Sequence, residues 1–243
     1  MTLYFELKKY KSWNIRKKYA TFVLNVKHLS FMFSADQLRD MVNRHLADSP
    51  QIHNPQGLYD PINYVLSIGG KRVRPVLLLM AYNLYKDDVT AGLPPAVALE
   101  TYHNYTLLHD DLMDRADIRR GQPTVHKKWN DNTAILSGDS MLVLAYKMML
   151  SCDDRHLRSV LELFSRTALE IGEGQQYDME FESRMDVTEK EYLEMIRLKT
   201  SVLLACALKI GAILADAPTE DMENLYRFGE QIGLAFQLQD DLL

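Results

Sequence analysis

The segment His109-Asp110-Asp111-Leu112-Met113-Asp114 concentrates three carboxylates in five positions. In a helix, Asp110 and Asp114 lie one above the other on one face, with His103 and Leu107 two turns and one turn behind on the same face. Like charges at that spacing destabilise a helix by roughly 0.2–0.5 kcal/mol per pair. A solvated acidic helix end would tolerate this. A divalent cation would remove the repulsion, and magnesium binds through one or two carboxylates while water and substrate phosphate complete its shell. A second acidic cluster, Gln237-Leu238-Gln239-Asp240-Asp241, follows another long apolar stretch. Two helices that each bring paired carboxylates to apolar surface are harder to read as solvated ends, because burying such groups unpaired is costly.

Cations stand where an anion would need them. Gly69-Gly70-Lys71-Arg72-Val73-Arg74-Pro75 puts three basic residues beside a glycine pair, Arg119-Arg120-Gly121 follows the first acidic motif, and Lys199-Thr200 interrupts an apolar run. Arginine forks match phosphate oxygens and lysine acts as a point charge. Each group alone reads more readily as a solvated basic patch. With the acids, they suit metal-bound diphosphates. Gln175 and Asp178, three apart in Gly174-Gln175-Gln176-Tyr177-Asp178, are placed to face one cavity or the surface. His126 and Asp139 read as satisfied polar contacts.

The elements that position these residues are helical. Ser34-Ala35-Asp36-Gln37 is a capping box ahead of Leu38, Met41, Val42 and Leu46. The pattern predicts a helix from Tyr59 to Ile68, with Pro61 in its first turn and a stop at Gly69-Gly70. Further helices are predicted over 75–85 and from Pro94-Pro95 to about residue 115, followed by a loop over 116–124. Three proline-free helices cover about 132–152, 155–182 and 188–211, the last opened by a capping box at Thr188-Glu191. A final helix runs from Pro218 to the end. No segment alternates with period two for long enough to predict a strand.

The 243 residues are 47% hydrophobic and 25% charged, ordinary for a globular chain. No run of about 18 apolar residues predicts a membrane span. Two cysteines form neither a disulfide framework nor a zinc set and predict a reducing compartment, the cytoplasm. Residues 1–31 hold seven basic residues and one acid, so with a net charge of -5 the remaining residues carry -11. An acidic body argues against a nucleic-acid partner. Residues 1–31 are expected to be a basic extension outside the fold, and 32–243 one large all-α domain.

From about residue 35 onward the chain resembles the trans-isoprenyl diphosphate synthases. The resemblance rests on six motifs in family order: GGKRVRP, YHNYTLLHDDLMDRADIRRGQPTVH, ILSGDS, GQQYDME, LKTSVLL and GLAFQLQDDL. It implies a bundle of long helices around a deep central cavity, a homodimer and Mg2+ as cofactor. Asp110 and Asp114 match metal ligands of the first motif, with Asp111 assisting; Asp240 matches that of the second, with Asp241 beside it. Lys71, Arg74, His103 and Arg120 match contacts to isopentenyl diphosphate. Arg119, Lys199, Thr200 and Gln237 match contacts to an allylic diphosphate (dimethylallyl, geranyl or farnesyl), and Gln175 and Asp178 match a polar pair lining the cavity. The ring of Tyr105, five positions before Asp110, with Thr106 beside it, resembles the chain-length floor of members that make C15–C20 products. The family's second motif reads DDxxD, so its third acid and the helices after it are expected beyond Leu243, in a longer chain.

Asp110, Asp114, Lys199 and Arg119 would then draw off the allylic diphosphate, and the double bond of isopentenyl diphosphate would attack the resulting carbocation. Two other enzyme readings and one binding reading compete. They are a longer-chain polyprenyl diphosphate synthase, a di-iron carboxylate bundle using Glu100-x-x-His103, and a non-catalytic subunit of a heteromeric synthase. The di-iron bundle needs a second such motif, which the sequence does not supply. The non-catalytic relatives lack acids that are all present here.

Overall fold

The computed structural model describes residues 32–50 and 53–242. The basic segment 1–31, expected to be separate from the fold, lies outside the described residues. From Ser34 onward the chain forms one compact unit. Its helices are α1 (Ala35–Asp48), α2 (Gln56–Ser67), α3 (Val73–Asn83), α4 (Leu93–Met113), α5 (Val125–Lys128), α6 (Asp131–Met149), α7 (Asp154–Phe181), α8 (Glu189–Ile196), α9 (Val202–Leu214) and α10 (Thr219–Asp241). Among the described residues, no helix is long and apolar enough to cross a membrane.

The predicted caps form. Ser34 and Thr188 each accept from the third residue of their helix, whose Gln37 or Glu191 side chain returns the bond. Asn130 and Asp153 cap α6 and α7 in the simpler way, through one side-chain bond each. These bonds satisfy amide donors that the first turn of a helix leaves free.

Three expectations need correction. Pro61 is not in a first turn: α2 begins at Gln56, so the ring sits mid-helix, on the buried side next to Ile62. The loop after α4 contains a minimal antiparallel hairpin, β1 (Ile118–Arg119) with β2 (Gln122–Pro123). Two-residue strands are too short to leave a period-two signature. The helix expected over 188–211 is not continuous: Arg197–Ser201 adopt a π-helical turn between α8 and α9.

Two helices lie at the centre. In α9, eleven of thirteen residues are buried, from Val202 round to Ile213; a helix apolar on every side belongs in a core. It packs on α3, α7 and α10. α4 is buried from Pro95 to Tyr102 and again at Asn104 and Leu108, and packs most extensively on α6. The last turn of α4 and the π turn ahead of α9 come to the same end of the bundle, as the approach of Asp110 to Lys199 shows.

The π turn fits only because α7 offers a glycine. A Cβ at Gly174 would lie 2.4 Å from the Lys199 amide nitrogen and 2.8 Å from the Leu198 carbonyl carbon. A Cβ at Gly172, two residues earlier on the same helix, would meet nothing within 4 Å. Gly172→Ala is therefore expected to stabilise the protein by up to about 1 kcal/mol through helix propensity. Gly174→Ala is expected to destabilise it by about 1–3 kcal/mol through overpacking. Urea denaturation of both variants checks this; equal shifts of the same sign would contradict the close approach.

Candidate active site

The acidic motifs close helices rather than open them. Asp110 and Asp111 occupy the last turn of α4 and Asp114 its C-cap, and Asp240 and Asp241 end α10; neither helix has a basic residue in its last turn. The C-terminal end of a helix carries partial negative charge, so carboxylates there are unfavourable by roughly 0.3–1 kcal/mol each at exposed positions. Neutralisation has to come from elsewhere in the fold.

Lys199 supplies part of it. Its Nζ donates to Asp178 Oδ2 of α7 at 2.6 Å and lies 3.7 Å from Asp110 Oδ1 of α4. Burial disfavours the charged ammonium, but the hydrogen bond to Asp178 and the field of Asp110 outweigh it, and the Lys199 pKa rises. Asp110 shifts upward as well: burial raises it, Lys199 opposes the rise, and Asp114 adds to it. Three carboxylates and one ammonium leave this end of the bundle with excess negative charge. Gln175 is half-buried one turn before Asp178.

Asp111 is placed differently from its neighbours. It is buried, and Arg119 donates to its Oδ1 through Nε at 2.9 Å and through the terminal amine at 2.5 Å. That hydrogen bond raises the Arg119 pKa. The carboxylate thus anchors the β1–β2 hairpin to α4, while Asp114 stays exposed.

At the second motif, Thr200 donates to Gln237 Oε1 at 3.0 Å, and Gln237 Nε2 donates to Asp241 Oδ1 at 2.8 Å. Tyr192 of α8 also donates to Asp241. Asp240 is exposed beside this chain of bonds. The π turn aims adjacent residues at different helices, Lys199 at α4 and α7 and Thr200 at α10.

A cationic group surrounds the Gly69-Gly70 turn. Arg120 donates to the Gly69 carbonyl, and its guanidinium lies where a Cβ on Gly70 would be, 2.7 Å away. Arg74 donates to His103 Nε2 at 3.1 Å. An arginine can only donate, so this nitrogen of His103 is the bare one. Burial, and then Arg74 and the other arginines around it, hold His103 well below its usual range, so it is neutral. Burial also lowers Arg74 to about 10. Its Nε is buried without a hydrogen-bond partner. Lys71 is exposed beside it. Among the described residues, none of Lys71, Arg74 and Arg120 forms an ion pair.

Glu100 is taken out of the di-iron reading. It is buried and accepts from Arg72 at 2.6 Å and from Asn104 at 3.0 Å. Its carboxylate is neutralised by a cation that the sequence places in the glycine loop without saying where it points. Tyr105 is half-buried, edge-on to His109 and tilted against Tyr102, and packs with Ile62, Leu108, Ala134 and Met141 on the α2 and α6 side of α4. Thr106 donates back to the His103 carbonyl. His126 shares a contact with Thr124 Oγ1, and Asp139 lies 3.9 Å from His109. Sequence reasoning did not find Tyr192 or the π turn. The only signal was the cluster Arg197, Lys199, Thr200 and Ser201 within an apolar helix, polar at positions that cannot all face one side.

The model of the Polyprenyl synthetase family matches residues 55–243. The chain belongs to this family. It is 46% identical over 194 residues to the geranylgeranyl diphosphate synthase of Methanosarcina mazei, covering 79% of this chain and 60% of that protein. To the (2E,6E)-farnesyl diphosphate synthase of Mycobacterium tuberculosis it is 40% identical over 225 residues, covering 91% and 61%. A crystal structure of a geranylgeranyl pyrophosphate synthase superposes with a TM-score of 0.84 at 49% identity, covering 86% of this chain and 64% of that one. The chain thus spans about three fifths of the length of these relatives. Their likeness shows the all-α isoprenoid synthase fold.

The neutral His103 has a consequence for stability. Its folded pKa is depressed, so as pH falls through the ordinary value of 6.5 the unfolded chain takes up a proton that the folded chain refuses. Stability contributed above pH 6.5 is lost in acid, by at most about 1.4 kcal/mol per pH unit. His103→Gln is expected to flatten that part of the slope. Urea midpoints measured at several pH values between about 5 and 7 check this; parallel curves for the two proteins would contradict a neutral, buried His103.

Proposed function

We propose that this chain forms the substrate-binding core of a trans-prenyltransferase. It would condense isopentenyl diphosphate with an allylic diphosphate head to tail, releasing diphosphate and giving a longer prenyl diphosphate, C15–C20. One observation carries the reading. A cluster of cations without ion-pair partners among the described residues, with a buried and orphaned Arg74 Nε, meets α4 at His103, and the same helix carries under-neutralised carboxylates at its end. His103 and Asp110 are seven residues apart, roughly 10 Å along the helix. The cation cluster lacks an anion and the acid cluster lacks cations. Two diphosphates, one of them metal-bound, supply both.

The oxygen-only donors Asp110 and Asp114, with Asp240 of the second motif, suit Mg2+, which takes few protein ligands and fills its shell with phosphate and water. Among the described residues no group of three His, Cys, Asp or Glu side chains is placed to hold a metal ion unaided. When bound, Mg2+ would stabilise the charge that develops on the leaving diphosphate. Lys199 and Thr200 would orient the allylic diphosphate, with Gln237 fixing the Thr200 hydroxyl and Arg119 held by Asp111 at its edge. Lys71, Arg74 and Arg120 would hold isopentenyl diphosphate, and neutral His103 would position Arg74. Ionisation of the allylic substrate leaves a carbocation, and the double bond of isopentenyl diphosphate attacks it. The departing diphosphate takes up the proton then lost, so no side chain is assigned as general base. Water must be excluded from the cation, which an apolar cavity within the bundle would do. A homodimer is part of the reading: α6 presents Leu136 and Val143, with Leu150 just past its end, at seven-residue spacing on an exposed face.

Two outcomes follow for the full chain. Lys71→Ala is expected to raise the KM for isopentenyl diphosphate about tenfold more than that for the allylic substrate, and Lys199→Ala to do the reverse. Steady-state kinetics with each substrate varied in turn checks this, and equal effects from both variants would contradict the two-site assignment. Tyr105→Ala is expected to deepen the space beneath Asp110 and lengthen the product by at least one five-carbon unit, read by chromatography of the dephosphorylated products. An unchanged product distribution would place the floor on another helix.

A further inference from the structure

We propose that the buried pair Arg72–Glu100 is a positioning unit for the isopentenyl diphosphate site, fixing the turn that presents Lys71 and Arg74 without touching substrate itself. The proposal rests on the reading of that site given above. Gly69, Gly70 and Arg72 all have positive φ, at 89°, 144° and 51°. For arginine this left-handed conformation is uncommon, and the surroundings have to impose it.

The surroundings are three elements tied by one guanidinium. Arg72 donates through Nε to Asn43 Oδ1 of α1 at 3.1 Å, through one terminal amine to Glu100 Oε1 of α4 at 2.6 Å, and through the other to the Leu66 carbonyl of α2 at 2.8 Å. Asn104 holds the Glu100 carboxylate from the next turn of α4. Every nitrogen of Arg72 is engaged and the side chain is 3% exposed, so it has nothing left to offer a ligand. Among the described residues, a cavity of about 630 Å³ opens behind the turn, lined by Asn43, Leu46, Leu66, Gly69, Arg72 and Val97 among others. Among the described residues, the hydrogen bonds of Arg72 connect the turn to the bundle on that side.

A buried ion pair rarely adds net stability over an apolar pair of similar size; its use lies in specifying one arrangement. Here the arrangement joins the loop that carries Lys71 to the same helix that carries His103 and Asp110. The two diphosphate sites are thereby held in register through α4.

The test separates positioning from stability. In the full chain, Arg72→Met leaves the Glu100 carboxylate buried and unpaired and is expected to lower the unfolding midpoint. The double variant Arg72→Met/Glu100→Met removes both charges and is expected to restore the midpoint. It should still show a KM for isopentenyl diphosphate raised about tenfold, an allylic KM within about twofold of the parent, and faster amide hydrogen exchange at Val76, whose amide donates to the Arg72 carbonyl. A double variant with parental KM and parental exchange would overturn the proposal. Should the double variant not fold, Arg72→Lys keeps the charge opposite Glu100 but cannot reach three acceptors at once. The same rise in KM and in exchange is then expected, and parental values for both overturn the proposal. Lys71→Ala run in parallel identifies which idea has failed. If it leaves the KM for isopentenyl diphosphate unchanged, the site reading is wrong, and the exchange measurement still decides whether Arg72 holds the turn.

Discussion

The ammonium of Lys199 lies between carboxylates of two helices, and the end of the bundle is organised around it. Asp178 of α7 accepts its hydrogen bond and Asp110 of α4 stands 3.7 Å away. The ammonium reaches both from a π turn ahead of α9, and α7 comes within backbone contact of that turn. Gly174 permits the contact because any side chain would meet the Lys199 amide. A backbone irregularity, a helix crossing and a residue type thus meet at this one ion pair. π turns inside α-helices recur at functional sites, and here the cause can be named: consecutive residues must serve separate helices.

Neutralisation by Lys199 is incomplete. The carboxylates cap helices at the end where the peptide dipoles also point negative, and Arg119 is spent on Asp111. At the other side of α4 the imbalance is reversed: Lys71, Arg74 and Arg120 form no ion pair among the described residues, and His103 is held neutral. Structural clusters usually balance their charge internally. Two oppositely unbalanced clusters about two helical turns apart are a sign of ligands that carry the missing charge.

Much of this was legible in the sequence, for physical reasons that differ by feature. Capping boxes at Ser34 and Thr188 are local, need only four residues, and formed as read. The acid and base clusters announced themselves by their density, and α9 by the apolar run that Lys199-Thr200 interrupts. The β1–β2 hairpin was not legible, since two-residue strands have no period. Nor was the start of α2, because Pro55-Gln56-Gly57 carries neither a side-chain cap nor an apolar period. The partners of charged residues were the least legible. Lys71, Arg72 and Arg74 read as one basic patch, yet Arg72 turns inward to Glu100 while Lys71 stays exposed. Likewise Asp110 and Asp111 are adjacent in sequence, and a 100° step around the helix sends one toward Lys199 and the other toward Arg119. Which neighbour faces which element depends on tertiary packing.

Membership of the polyprenyl synthetase family and the charge arrangement support the proposed chemistry, in which carboxylates of α4 would hold a cation at the leaving diphosphate. The most direct measurement is turnover of the full chain carrying Asp110→Ala, with labelled isopentenyl diphosphate, an allylic starter and Mg2+. Removing a metal ligand at a developing charge should cost several kcal/mol of transition-state stabilisation, so turnover should fall by several orders of magnitude while the unfolding midpoint stays at or above that of the parent. Near-parental turnover in a folded Asp110→Ala variant would contradict the account.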